Sequence, residues 1–326
     1  MPAAREVRIG KSTVRAMFKM RGRIGSPLCF LAVLILCAPL GAAPGQDTDA
    51  AQSPPPGLPP VAMSSDTGPL DAGFHDLYEL NFERARSEFL TYQKAQPDDP
   101  MGTAAEAASY LYEEFNAKGV FSSEFFLNDS KFLNGADGTP AENRNEPFLQ
   151  ANDHAREMAK KQLKFDPGDT HALLVLTMTD GMEADYDALI IKKQLAGLGM
   201  TKQAEAEATK LLAADPMAQD GYLALGAANY IIGSLPGFKR AFLWFGGIHG
   251  DRTRGMAQMQ QTAEHGHYLR PFAKILLALA CEREHETDRA RALLAELNKE
   301  FPANPLFARE LDLIDHRSSC KGQDPC

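Results

Sequence analysis

The sequence predicts an all-α solenoid of about five antiparallel helix pairs, and three observations carry that prediction. An alanine is followed four positions later by an apolar or small residue and twelve positions later by proline, and this happens four times. The instances are Ala85-Phe89-Pro97, Ala155-Ala159-Pro167, Ala204-Ala208-Pro216 and Ala290-Leu294-Pro302. Each lies in a charged amphipathic stretch, where a residue and its i+4 neighbour share one helix face and the proline ends the helix. From residue 69 to residue 316 the apolar spacing is helical almost throughout, with no convincing period-two strand. A helix that recurs and ends in the same way marks a stacked repeat whose units bury their faces against one another.

Taken in order, unit one pairs a short helix around Phe74–Leu80 with Phe82–Gln96. Unit two opens at Pro100 with MGTAAEAASYLYEEF, crosses a polar surface loop from Asn128 to Pro147, and resumes over Leu149–Phe165. Unit three pairs the run from Thr170 to about Gly197 with MTKQAEAEATKLLAADP, starting at Met200. Unit four opens with QDGYLALGAANYIIG, detours through Ser234–Gly250 and closes with DRTRGMAQMQQTAEHG. There the spacing survives as Gly255-Met259, but His267 stands where the proline belongs. Unit five pairs RPFAKILLALACERE with TDRARALLAELNKEFP, and Pro305–His316 reads as a capping helix. Residues 317–326 form a polar C-terminal tail.

These units resemble tetratricopeptide repeats, most clearly at Leu277, Ala278, Ala290, Leu294 and Pro302 in the last unit and Tyr222, Leu225 and Gly226 in unit four. Small residues there let helices approach closely, and bulky ones fill the space between units. The resemblance implies a right-handed superhelix whose first helices line a concave groove that binds a protein or peptide. The groove-facing candidates it implies are Met178, Asp220, Leu223, Ala227, Tyr230, Ile275 and Leu279. The Lys/Asn set with which some such proteins grip a C-terminal carboxylate is not present. Ser234-Leu235-Pro236, Phe242–Phe245, Gly250-Asp251-Arg252 and Leu269-Arg270 are in addition similar to a segment of the inclusion-body-clearance protein and tetratricopeptide repeat protein 39 family.

The ends of the chain differ from its body. Residues 1–43 place seven Lys/Arg before the apolar run PLCFLAVLILCAPLGAA, the order of a secretory signal peptide. The expected product is exported to the periplasm or outside the cell, an uncleaved N-terminal membrane anchor being the alternative. Residues 44–68 are rich in proline and small polar residues and read as a disordered linker. Of the 34 basic and 43 acidic residues, seven and one fall in the leader, leaving 27 against 42. A body that acidic lacks the positive patch nucleic acid requires.

Candidate chemistry is sparse. GKST at Gly10–Thr13 lacks the upstream glycine of a phosphate loop. Gly246–Gly255 reads as a helix break followed by an Asp251 cap. His265 and His267 straddle Gly266 without metal-ligand spacing. Gly233-Ser234-Leu235-Pro236-Gly237 lacks the spacing of a serine elbow. Cys320 and Cys326 could close a terminal disulfide in an oxidising compartment. The expectation is a non-catalytic scaffold with no cofactor and no metal. One alternative is a membrane-associated envelope assembly factor acting through the aromatic segment around Trp244. A second is a hydrolase with a non-standard site near His249, Asp251 and His267.

Overall fold

The computed structural model describes residues 68–237, 240 and 249–320. The leader, most of the linker, the aromatic segment around Trp244, Cys326 and the side chain of Cys320 lie outside the described residues, so the expectations made for them concern other parts of the chain. Among the described residues there are thirteen helices: α1 (Pro69–Tyr78), α2 (Phe82–Ala95), α3 (Pro100–Ala117), α4 (Ser123–Leu127), α5 (Asp129–Asn134), α6 (Glu142–Phe165), α7 (Thr170–Asp185), α8 (Gln194–Ala214), α9 (Gly221–Ser234), α10 (Arg252–His265), α11 (Arg270–Arg283), α12 (Thr287–Glu300) and α13 (Pro305–Cys320). They pack as successive pairs, α1/α2, α3/α6, α7/α8, α9/α10 and α11/α12, with α13 laid over the last pair. This is an all-α helical-repeat solenoid.

The recurring spacing is the buried stripe of each second helix. Ala85, Phe89, Ala155, Ala159, Ala204, Ala208, Ala290 and Leu294 are all buried, and Met259 holds the same position on α10. The proline has a second role that the spacing did not announce. In three of the four instances an Asp or Asn two residues after it caps the next helix. Asp99 accepts the N–H of Met101 at 2.8 Å, Asp169 that of Ala172 at 3.0 Å, and Asn304 that of Leu306 at 2.9 Å. Each cap satisfies an orphan donor, and losing one costs about 1 kcal/mol.

Unit four is held by glycines. An added Cβ on Gly255 would lie 2.5 Å from the Tyr230 nitrogen and 2.7 Å from the Gly226 oxygen. On Gly226 it would lie 2.7 Å from the Met259 nitrogen. The α9 and α10 backbones therefore touch, which the Ala of other units does not permit.

Three boundaries differ from the sequence expectation. The polar loop of unit two contains α4 and α5, and α6 begins at Glu142 with Pro147 inside it. The first helix of unit three ends at Asp185 in a π turn, Tyr186–Ile190, and Lys192 at φ 63° reverses the chain. Helix α8 then starts at Gln194, where Gly197 lets it approach the Ala184 carbonyl to within 2.8 Å of a notional Cβ. At the C-terminus α13 runs through to Cys320 rather than stopping at His316.

The larger departure is long-range, because the first and last units meet. The Tyr78 hydroxyl donates to the Tyr268 carbonyl at 2.8 Å, and Asn304 Nδ2 donates to the Tyr78 carbonyl at 2.8 Å. Phe74 stacks on Tyr268 at 4.8 Å between centroids, Tyr78 packs on Phe301 at 5.5 Å, and Tyr112 on Phe272 at 5.2 Å. Further along, the Ser123 N–H donates to Glu310 and Arg283 donates to the Phe126 carbonyl. Aromatic pairs of this kind contribute about 0.5–1.5 kcal/mol each beyond their buried area. The repeats thus curve until their ends join along one seam.

Two stability measurements follow. Gly255→Ala gains helix propensity, up to about 1 kcal/mol, but drives a methyl into backbone. A net loss of about 1–3 kcal/mol is expected in chemical denaturation, and a neutral or stabilising result contradicts the close approach. Tyr78→Phe leaves the Tyr268 carbonyl without its donor and should cost about 1–3 kcal/mol. An unchanged midpoint contradicts the seam.

Candidate functional site

The concave face of the joined repeats holds a partly open pocket of about 740 Å³. The reason it is hollow can be read from the residues. The first helices present small side chains to it: Ala108 from α3, Gly181 and Ala184 from α7, Ala224 and Ala227 from α9. Larger groups line the rest of it, among them Phe74, Phe115, Phe121, Phe272 and Leu276. Leu195, 82% exposed, and Ile231, 38% exposed, stand at its mouth.

Of the seven groove candidates, Met178, Leu223, Ala227, Ile275 and Leu279 line this cavity. The other two do different work. Asp220 is buried and accepts the N–H groups of His267, Tyr268 and Leu269 at 2.9, 3.1 and 3.2 Å. It thereby shapes the loop that offers the Tyr268 carbonyl to Tyr78. Burial raises its carboxyl, and the three backbone donors pull it partly back. The Tyr230 hydroxyl donates to the Ala280 carbonyl and to Glu284, both at 3.3 Å, tying α9 to α11.

Two residues of the hydrolase alternative, Asp251 and His267, have structural partners. Asp251 accepts the Arg254 N–H at 2.9 Å, capping α10. His267 meets Asp71 at 3.0 Å across the seam and stacks on Tyr268. His249 sits on the exposed turn just before Asp251. Among the described residues no group of three or more His, Cys, Asp or Glu side chains could hold a metal ion, and no helix is long and apolar enough to cross a membrane. Cys281 is buried, and burial pushes its thiol up to about 12.

The cavity's electrostatics are simple. Among the described residues its lining includes two titratable side chains, Tyr112 and Asp185, and no Lys, Arg or His. Asp185 ends α7, is half-buried, and lines the cavity. It makes no side-chain hydrogen bond or ion pair among the described residues, and burial alone pushes it up to about 7. Tyr112 is held well above its ordinary value by burial, then by the neighbouring Tyr78 and by Asp185 itself. Sequence reasoning missed Asp185, although a signal existed: it lies seven residues after Met178 and shares its helix face.

No family model matches the chain, and no curated protein matches it. The similarity of unit four to the inclusion-body-clearance family is therefore unsupported. Among solved structures the chain is similar to the crystal structure of a thermophilic TPR protein from Thermus thermophilus, with 16% identity and a TM-score of 0.40, over 76% of this chain and 96% of that one. The class that the fold and the cavity define is a helical-repeat protein with an apolar pocket on its concave face.

Asp185 gives a pH signature. Its folded value of about 7 lies above the unfolded value of about 3.9, so the folded state holds the extra proton between them. Its contribution is favourable at the acid end of that window and is lost as pH rises through it. Relative to Asp185→Asn, the wild type should lose about 2–3 kcal/mol of stability on going from about pH 5 to about pH 8. A difference between the two that stays flat with pH contradicts the burial of this carboxyl.

Proposed function

We propose that the protein is an exported, non-catalytic helical-repeat binding protein whose ligand site is the apolar cavity on its concave face. The observation that supports this most is the cavity's volume, about 740 Å³, set within walls of small side chains. Ligand pockets span about 300–1,000 Å³ and are mostly apolar with a few polar groups. A space of this size, built from residues placed to leave it, is read as a binding space.

The seam also changes which partner fits. A long peptide laid along an open superhelical channel has no such channel here, because Tyr78, Tyr268 and Asn304 close it. A compact apolar ligand, or an apolar side-chain cluster of a partner inserted past Leu195 and Ile231, fits better. Export is supported by the leader pattern of residues 1–43. The acidic body disfavours nucleic acid as a partner.

The test is binding of the neutral fluorophore N-phenyl-1-naphthylamine to the leaderless protein, followed by its fluorescence. One site of roughly micromolar affinity is expected. Ala227→Trp fills the cavity and should weaken binding at least about tenfold while leaving the circular-dichroism spectrum unchanged. Equal binding by this variant, or none by the wild type, overturns the cavity as the site.

A further inference from the structure

The position of Asp185 specifies the ligand further, on the assumption that the cavity is the ligand site. Three of the other polar side chains on the described wall already have hydrogen bonds or another partner. The Thr177 hydroxyl donates to the Leu173 carbonyl at 2.9 Å, the Thr201 hydroxyl to the Gly197 carbonyl at 2.9 Å, and Gln194 has a partner of its own. Tyr112 stands in the aromatic group that includes Tyr78, Phe121 and Phe272. Asp185 has no such partner, although it lies in the same wall as Met182, Ala184 and Ala188.

An unpaired carboxyl surrounded by apolar groups is costly to keep, and a ligand that supplies a donor relieves that cost. The sign of the wall matters as much. With no Lys, Arg or His among the described lining residues, a carboxylate or phosphate head would meet an acid and no counter-charge from them. A head that donates hydrogen bonds meets the opposite situation. It gains a charge-assisted bond to Asp185, while an aliphatic body covers the alanines and leucines of the wall.

We infer that the cavity takes an amphiphile with an aliphatic body and a hydrogen-bond-donating head, an ammonium or a hydroxyl, which Asp185 anchors. Asp185 touches the ligand and sets which head is accepted. The small residues and aromatic rings accept the chain without discriminating its chemistry.

Displacement of N-phenyl-1-naphthylamine at neutral pH by dodecylamine, dodecanol and dodecanoate, three compounds that differ in the head alone, tests this. The amine should displace the fluorophore at about one tenth the concentration the carboxylate requires, or less, with the alcohol between them. Asp185→Asn keeps size and hydrogen bonding but removes the charge. It should bring amine and carboxylate to within about twofold of each other while leaving dodecanol unchanged. Dodecanoate binding as well as dodecylamine, or an amine preference that survives Asp185→Asn, overturns the assignment. If the fluorophore binds and Ala227→Trp weakens it while all three heads compete equally, the cavity stands and the anchor falls. If the fluorophore does not bind, the cavity reading itself has failed.

Discussion

The contact on which the rest depends is Tyr78 against the loop before α11. Its hydroxyl holds the Tyr268 carbonyl, its own carbonyl holds Asn304, and its ring packs on Phe301. The two hydrogen-bonding partners lie 190 or more residues away in sequence. Without them the stacked pairs would form an open superhelix with a solvated concave face. With them, the same small residues that let helices pack closely face one another across a partly open pocket. The seam is itself prepared from unit four, because Asp220 fixes the backbone of residues 267–269 and presents Tyr268 at the right place.

Close approach and hollowness thus share one cause. Glycines at the α9/α10 contact bring two backbones together, and alanines on the inward faces of α3, α7 and α9 line the pocket. A core built of leucine at Ala108, Ala224 and Ala227 would occupy that space and remove the cavity. The interior therefore carries one strong polarity, the Asp185 carboxyl, in a setting with little else to compete with it.

Much of this was legible in the sequence, and the parts that were not have physical reasons. The Ala–x3–apolar–x7–Pro spacing reports which face each second helix buries, so five pairs and a cap could be read from it. Met178, Leu223, Ala227, Ile275 and Leu279 could be placed on the concave face because the resemblance to tetratricopeptide repeats assigns that face to the first helix of each pair. The break at Lys192 was hidden, since a lysine in a left-handed conformation leaves no mark in a run that otherwise favours helix. Closure was hidden because periodicity describes neighbours, whereas Phe74, Tyr78, Tyr268 and Phe301 meet across most of the chain. Asp220 looked like a groove residue by register and proved to be a seam support, since register fixes direction and not partner. Asp185 shares the face of Met178, but sequence does not distinguish an acid lining a pocket from one facing water.

The central claim is that the solenoid closes, and the distance between its first and last units measures it directly. Spin labels at Glu83 on α2 and Arg309 on α13, both exposed, in a variant lacking its native cysteines, would report that distance by pulsed electron-spin resonance. A single narrow distribution centred on the closed separation is expected, and it should broaden when Tyr78→Phe and Asn304→Ala are combined. A broad distribution at longer distance in the otherwise unaltered protein, insensitive to that pair of substitutions, would show an open superhelix and contradict the closure.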